Sequence, residues 1–422
     1  MTLTLTIINA FLYIALFLYY LRLVNFKFNV GVYTLALWMV SSIISIYYST
    51  TGIYKWNHAI TLAPFIYLYL TIVIYILPIL KFRNERIKYI WTEDRFIYRV
   101  AIILSLIAFL PFVENLIQAF KVATGLSGNA VVELIQSRYD DDSYDQFYYL
   151  STIGRKLNWL NNAFVMLSMC IFFYLFTKKK RNKIVLIGLL FSIATVFLQA
   201  FNLSARFQIV KNLFILIFFY LLFKDLMEYR IRKKLTKSLI VGFSTIFVAV
   251  TAISIFRFVG MTETRSDISY SIFDWLSLYF SEGFLNFNGD MWYVDNFCYG
   301  KNTAYIFRYL FGLSDVMFHR DYFELEHITH IRMNVFYTMI GDIYSDFGPI
   351  GTIFIVCLVS WLFCNICKIK EKVALSKIIM LSLIAKVSLI GFTYYTFVGD
   401  AIQVLIMPIF ALYLKIKENQ KI

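Results

Sequence analysis

The stretch CIFFYLFTKKKRNKIVLIGLLF, Cys170 to Phe191, places a cluster of lysines and an arginine between two apolar runs. An α-helix needs about 20 apolar residues to cross a bilayer, and basic clusters beside such helices stay on the cytoplasmic side. Over the 422 residues, 60% are hydrophobic and only 16% are charged. A soluble domain of this size could not bury so much apolar surface. The sequence therefore predicts an all-α, polytopic bundle of transmembrane helices.

Similar apolar runs recur along the chain and predict about eleven spans. They cover residues 3–21, 31–50, 59–80, 97–119, 159–177, 184–202, 207–223, 238–256, 348–367, 375–397 and 400–416. The first run has no basic residue before it and no small-residue cleavage site after it, so we expect no cleavable signal peptide.

The basic residues predict the orientation of the bundle. With the N-terminus outside and the C-terminus inside, the cytoplasmic loops contain KKKRNK at 178–183 and RIRKK at 230–234. The opposite orientation would place both clusters outside, which the positive-inside rule disfavours. We therefore interpret the net charge of +14 as a topology signal and expect no nucleic-acid partner.

Two long segments then lie on the outer side, at 121–158 and 257–347. The predicted organisation is a bundle of eight spans over 1–256, a large outer loop over 257–347, and three further spans with a short cytoplasmic tail over 348–422. The large loop contains SIFDWLSLYFSEGFLNF and AYIFRYLFGL, which are aromatic and amphipathic. These patterns predict helices that lie in the membrane interface or dip into it.

Cations on the outer side are candidate ligands for an anionic substrate. Arg206 lies in the short turn between spans six and seven, Lys211 about one helical turn deeper, and Arg257 and Arg265 follow span eight. A cation near hydrocarbon costs about 3 kcal/mol and usually has a partner. Arginine holds phosphate oxygens through two parallel donors. Snorkelling to lipid headgroups and anchoring at the interface are the alternatives. Lys386, near the middle of span ten, also requires a partner.

The segment HRDYFELEHITHIRMN, 319–334, contains every histidine except His58. His327 and His330 are three residues apart and would share one face of a helix. A neutral imidazole can accept a proton near neutral pH, although a structural role is equally open for either residue. HxxH is not a zincin motif, and the carboxylates at 140–142 are typical of a solvated loop, so we predict no metal site and no cofactor.

The segment NVFYTMIGDIYSDFGPIG, 334–351, leads into the ninth predicted span. Its YSDFG pattern followed by Gly351, the SARF turn at 204–207 and the long outer loop before it resemble the O-antigen (Wzy-type) polymerases. The resemblance covers the topology of most of the chain and two short sequence motifs.

The resemblance implies a GT-C-like, metal-independent glycosyltransferase at the periplasmic face of a bacterial inner membrane. It would polymerise oligosaccharide repeat units carried on undecaprenyl pyrophosphate. The implied partners are these lipid-linked oligosaccharides, membrane lipid and a chain-length regulator protein. The residues expected to bind the pyrophosphate are Arg206, Arg257, Arg265, Lys211 and Arg332. The residues expected to accept the proton of the acceptor hydroxyl are His330, then His327 and Asp346.

Several alternatives stay open at this point. Asp346 could instead form, with Gly348, a turn that caps span nine. Trp275 and Trp292 could stack on sugars or anchor the chain at the interface. A flippase for lipid-linked oligosaccharide would also need buried cations, but the chain lacks two similar halves. A ligase that transfers finished glycan to lipid A core would differ only in its acceptor.

Overall fold

A computed structural model describes residues 1–124, 149–203, 205–264, 272–313, 321–368, 371–398 and 400–420. The chain forms two compact units. The first consists of Met1–Trp91 and Phe273–Ile416, and the second of Thr92–Ile272 and Lys417–Ile422.

Helices dominate both units. In chain order they are α1 (Thr2–Leu23), α2 (Val30–Thr51), α3 (Leu62–Lys81), α4 (Asp94–Thr124), α5 (Thr152–Phe176), α6 (Lys183–Asn202), α7 (Arg206–Phe223), α8 (Tyr229–Thr264), α9 (Ile272–Gly289), α10 (Tyr305–Leu310), α11 (Tyr322–Thr329), α12 (Thr338–Ile366), α13 (Leu375–Ile390) and α14 (Ala401–Asn419). Two short strands, β1 (Tyr89–Trp91) and β2 (Lys372–Ala374), are also present.

Seven helical segments within the described part of the chain are long and apolar enough to cross a membrane. They are Thr2–Leu23, Val30–Thr51, Leu62–Arg86, Asp94–Thr124, Thr152–Phe176, Lys183–Asn202 and Thr338–Ile366. The predicted all-α, multi-pass membrane bundle is confirmed at this level. Helices also occupy the remaining predicted spans, at α7, α8, α13 and α14, and the total of eleven stays a prediction.

Polar residues at the helix boundaries explain where several helices begin. The side chains of Asn29, Ser151 and Asn182 accept hydrogen bonds from backbone N–H groups in the first turns of α2, α5 and α6. These are ordinary N-caps, which satisfy donors that the helix itself cannot pair. In the basic turn after α5, Lys178 Nζ lies 2.8 Å from Asp94 Oδ1.

The two strands pair in parallel, with Tyr89 opposite Lys372 and Trp91 opposite Ala374. Beside them, Lys88 Nζ lies 2.7 Å from Glu371 Oε1. Both strands come from loops that the charge pattern assigns to the same side of the bundle. The pairing therefore places these two loops at one end of the first unit, as that assignment requires.

One part of the large predicted loop packs inside the first unit. The second half of α9, residues 281–289, and the following Asp290 are buried inside the first unit. Trp38 on α2 contacts Phe284 with ring centroids 5.9 Å apart. At Gly283 a Cβ atom would lie 2.6 Å from the carbonyl oxygen of Phe392 and 2.8 Å from the backbone nitrogen of Thr338. Glycine is required there because the backbones approach so closely, and the expected interfacial helix is in this half a core helix.

The ninth predicted span begins earlier than expected. Helix α12 starts at Thr338, whereas the sequence predicts a boundary at 348. Gly348, with φ 66° and ψ −174°, interrupts the helix just before Pro349. Glycine tolerates this left-handed backbone and proline cannot continue the hydrogen-bond ladder, so the two residues produce a kink. The predicted boundary is the site of this kink.

Candidate functional site

The acidic pair on α12 holds neighbouring loops in place. Asp346 is fully buried, its Oδ1 accepts the N–H of Asn302 at 2.9 Å, and its Oδ2 accepts the N–H of Thr303 at 2.6 Å. The Thr303 hydroxyl also donates to Oδ2. Asp342 accepts from the Asn302 amide at 3.1 Å and from the N–H of Tyr395 at 2.7 Å. Asp346 lies within α12 and does not cap it. Its contacts favour an architectural role, because both of its oxygens already have donors.

A second acidic group lies along α9 and was not singled out from the sequence. Glu282, Asn286 and Asp290 follow one another at intervals of four residues, so they share one face of the helix and its immediate continuation. All three are buried, with exposed fractions of 3%, 0% and 1%. Buried carboxylates are rare without a compensating partner. Helix α9 is not one of the seven candidate spans.

The segment between α2 and α3 covers this end of α9. The N–H of Asn57 donates to Asp290 Oδ1 at 2.8 Å, and the indole N–H of Trp56 donates to Asn286 Oδ1 at 3.0 Å. Asn288 and Thr61 exchange two hydrogen bonds, of 2.9 and 2.7 Å. Asp290 Oδ2 is also buried but accepts no hydrogen bond from a described residue. One oxygen of this carboxylate therefore holds the segment, and the other retains its acceptor capacity.

Two phenols and a guanidinium lie near Asp290. Burial, and then the charge of Asp290 and a close polar contact with its carboxylate, raise the pKa of Tyr54, whereas the Tyr337 hydroxyl and then the charge of Arg332 lower that pKa. Burial, and then Tyr54 and Asp290, raise the pKa of Tyr337 well above its ordinary value. The Tyr337 hydroxyl donates to the carbonyl oxygen of Arg332 at 2.7 Å. Both phenols are therefore neutral donors, and Arg332, an expected phosphate ligand, belongs to the same neighbourhood.

Glu282 is the other carboxyl group on this face of α9. Burial raises the pKa of Glu282 to about 8, against smaller opposing contributions from the Asn286 amide and the backbone of Phe336. Asn286 Nδ2 donates to Glu282 Oε1 at 2.9 Å. Because desolvation disfavours the charged form, Glu282 is mostly a neutral acid at pH 7.

The predicted histidines lie at the surface of the first unit. His327 is in the last turn of α11, and His330 ends that helix in a left-handed conformation with φ 57°. Their ring centroids are 6.4 Å apart, and both side chains are exposed. The following segment is held by a 2.8 Å hydrogen bond from the N–H of Met333 to Glu326.

Two of the predicted pyrophosphate ligands lie in the second unit. Arg206 is the first residue of α7, and Lys211 on the same helix is buried with 3% of its surface exposed. Their convergence with Arg332 and the histidines of the first unit stays a prediction. The side chain of Arg257 and all of Arg265 lie outside the described residues.

Of the two tryptophans proposed to stack on sugars, the structure describes the side chain of Trp292. Trp292 packs within an aromatic cluster, with its rings 5.1 Å from Tyr67 and 5.9 Å from Tyr344. This environment assigns it a packing role. The side chain of Trp275 lies outside the described part of the chain.

Lys386 has the partner that its position requires. Its Nζ lies 2.6 Å from Asp400 Oδ2 and 2.6 Å from Gln403 Oε1. The Phe397 ring centroid is 5.4 Å away. Only 2% of the Lys386 side chain is exposed, so this cation is neutralised within the protein.

Within the described residues, no group of three or more His, Cys, Asp or Glu side chains is arranged to hold a metal ion. The sequence contained one signal for the α9 site, the four-residue spacing of polar groups within SEGFLNFNGD, but aromatic amphipathic segments are more often interfacial.

The chain matches no protein-family model, no curated protein and no solved structure.

Proposed function

We propose that this protein is a multi-pass membrane glycosyltransferase that polymerises oligosaccharide repeat units carried on undecaprenyl pyrophosphate. The observation that carries the proposal is the buried carboxylate of Asp290, which lies beside neutral phenols and Arg332 with one oxygen unpaired. A sugar hydroxyl can donate to this oxygen, and an arginine can bind the phosphate of a lipid carrier. The Wzy-type motif and the long outer segment support the same class of substrate.

The reaction is a displacement at the anomeric carbon of the growing glycan. A hydroxyl oxygen of the acceptor repeat forms the new glycosidic bond, and the bond between the anomeric carbon and the pyrophosphate oxygen breaks. The diphosphate leaves with the electron pair, and the hydroxyl proton passes to a base. Cations stabilise the charge that develops on the leaving group, a role for which we propose Arg206, Lys211 and Arg332.

The test uses the full chain in proteoliposomes with lipid-linked repeat units, followed by separation of the glycans according to length. We expect the wild type to produce ladders, also in the presence of a chelator. Arg206→Ala should abolish the ladders although the protein still inserts. Lys156→Ala is the matched control, since it removes an exposed cation from the start of α5. Normal ladders from Arg206→Ala would remove this residue from the site.

Deletion in cells distinguishes the polymerase from a ligase. Loss of ladders with single repeats still attached to the core indicates a polymerase. Loss of all attached glycan indicates a ligase.

A flippase for lipid-linked oligosaccharide is the second candidate. The ion pair of Lys386 and Asp400 favours it, because charges buried within a helix bundle often mark transport pathways. Movement of the lipid-linked repeat across the vesicle, without any new glycosidic bond, would identify this activity.

A further inference from the structure

We propose that Asp290 is the base that accepts the proton from the acceptor sugar hydroxyl, and that Tyr54 and Trp56 contact the sugar beside it. This inference rests on the proposed function and assigns its proton transfer to a residue outside the histidine segment and the Wzy-like motif. It deepens that proposal by identifying the acceptor subsite.

The hydrogen bonds of Asp290 leave one oxygen available. The N–H of Asn57 fixes Oδ1 at 2.8 Å and thereby orients the carboxylate, while Oδ2 accepts no hydrogen bond from a described residue. Only 1% of the surface of Asp290 is exposed. A buried acceptor without a donor is costly, and an incoming hydroxyl would remove that cost while placing its proton within reach. One requirement of a general base, an oriented carboxylate oxygen without a donor, is therefore met before substrate binds.

The surroundings of Asp290 are suited to a sugar. The rings of Tyr54 and Trp56 are 6.3 Å apart and both are partly exposed, so they offer apolar faces next to the carboxylate. Trp56 is fixed by its hydrogen bond to Asn286. Tyr337, whose hydroxyl already donates to Arg332, borders the same place. Such rigid, amphipathic side chains can hold a sugar ring while its hydroxyl points at the base.

The competing bases are less suitable. Glu282 is mostly protonated at neutral pH and already accepts from Asn286. Both oxygens of Asp346 have backbone donors. His330 is exposed to solvent at the end of α11, so its ring is not held in a buried site. Asp290 combines burial, a fixed orientation and an unused acceptor.

The proton passes from the acceptor hydroxyl to Asp290 and then leaves the site. The acceptor hydroxyl loses its proton to Asp290 Oδ2 as its oxygen bonds to the anomeric carbon. The bond from that carbon to the pyrophosphate oxygen breaks, and the diphosphate keeps the electron pair. Asp290 then returns the proton to solvent or to the departing diphosphate, so that no oxidant or further reactant is needed.

The experiment compares Asp290→Asn with Asp295→Asn in proteoliposomes. The first variant keeps an oxygen for the Asn57 N–H but removes the base, and the second neutralises an exposed carboxylate nearby. We expect Asp290→Asn to lower kcat by about 10²- to 10⁴-fold with KM for the lipid-linked donor changed by less than about threefold. Asp295→Asn should match the wild type. Formate should restore part of the activity of Asp290→Ala but none to Asp346→Ala.

Polymerisation by Asp290→Asn at more than a tenth of the wild-type rate would overturn the inference and leave the proposed function intact. A wild type without glycosyl transfer would overturn the proposed function itself. If Asp290→Asn does not accumulate in the membrane, the pH profile decides. A shift in the acidic limb of kcat/KM in Asp290→Glu supports the inference, and an unshifted limb contradicts it.

Discussion

The two buried acidic groups of the first unit, one on α12 and the other on α9, are used in opposite ways. Asp342 and Asp346 direct their oxygens at Asn302, Thr303 and the backbone of Tyr395. Asp290 keeps one oxygen without a donor from the described residues. A carboxylate whose acceptor sites are filled by its own chain stabilises that chain, whereas a spare acceptor can receive a substrate hydroxyl. Burial alone does not distinguish the two cases.

The largest expected effect is on stability at the α12 pair. Asp346→Ala leaves the N–H groups of Asn302 and Thr303 unpaired in the interior, which should cost about 5 kcal/mol. Thermal unfolding in detergent, compared with Asp290→Ala, measures the difference. Asp290→Ala should cost clearly less because it removes a single backbone hydrogen bond. Equal losses for the two variants would contradict the contrast between α12 and α9.

The ion pair on α13 extends the comparison to a carboxylate neutralised by a cation. Lys386→Met should cost about 3 kcal/mol, because it leaves Asp400 partly buried without its charge partner. The double variant Lys386→Met/Asp400→Leu should recover most of that loss. Thermal unfolding of the three proteins tests this, and a double variant less stable than Lys386→Met would show that the pair itself stabilises the fold.

The protonation of Glu282 predicts a pH dependence of stability. Its pKa rises from 4.5 to about 8 in the folded protein, so folding retains a proton that the unfolded chain releases. This contribution is complete below pH 4.5 and is lost as the pH rises toward 8. Unfolding measured from pH 4 to 9 should show a flatter curve for Glu282→Gln than for the wild type. Parallel curves would mean that Glu282 is ionised in the fold.

The smallest expected effect is at His330. Because its side chain is exposed, His330→Ala should change stability by less than about 0.5 kcal/mol. With Asp290 as the base, ladder formation should fall by no more than about threefold. A loss of 10²-fold or more in kcat, with KM unchanged, would return the base to the histidine, where the family resemblance places it.

The spans were predictable and the site was not. Hydrophobic runs and charge clusters predicted helices at every position where α1 to α8 and α12 to α14 occur, but several boundaries differ: α5, α8 and α12 start earlier than predicted and α13 ends earlier. The burial of α9 could not be predicted, because aromatic residues interrupted by Glu282 and Asn286 suit an interfacial helix as well as a core helix. The role of Asp346 was equally open, since its donors come from residues more than forty positions away.

By itself, the sequence determined that the chain is a helical membrane protein. The length and apolarity of each run are local properties, and they do not depend on contacts with distant parts of the chain. It also marked Gly348 and Pro349 as a break in the chain, but that this break is a kink within α12 and not the start of a span was decided by the structure. Tertiary structure alone decided which carboxylates became saturated and which one stayed available. Hydrogen-bond partners of a buried group are supplied by distant parts of the chain, so their number is set only when α9, α12 and the 52–61 segment pack together.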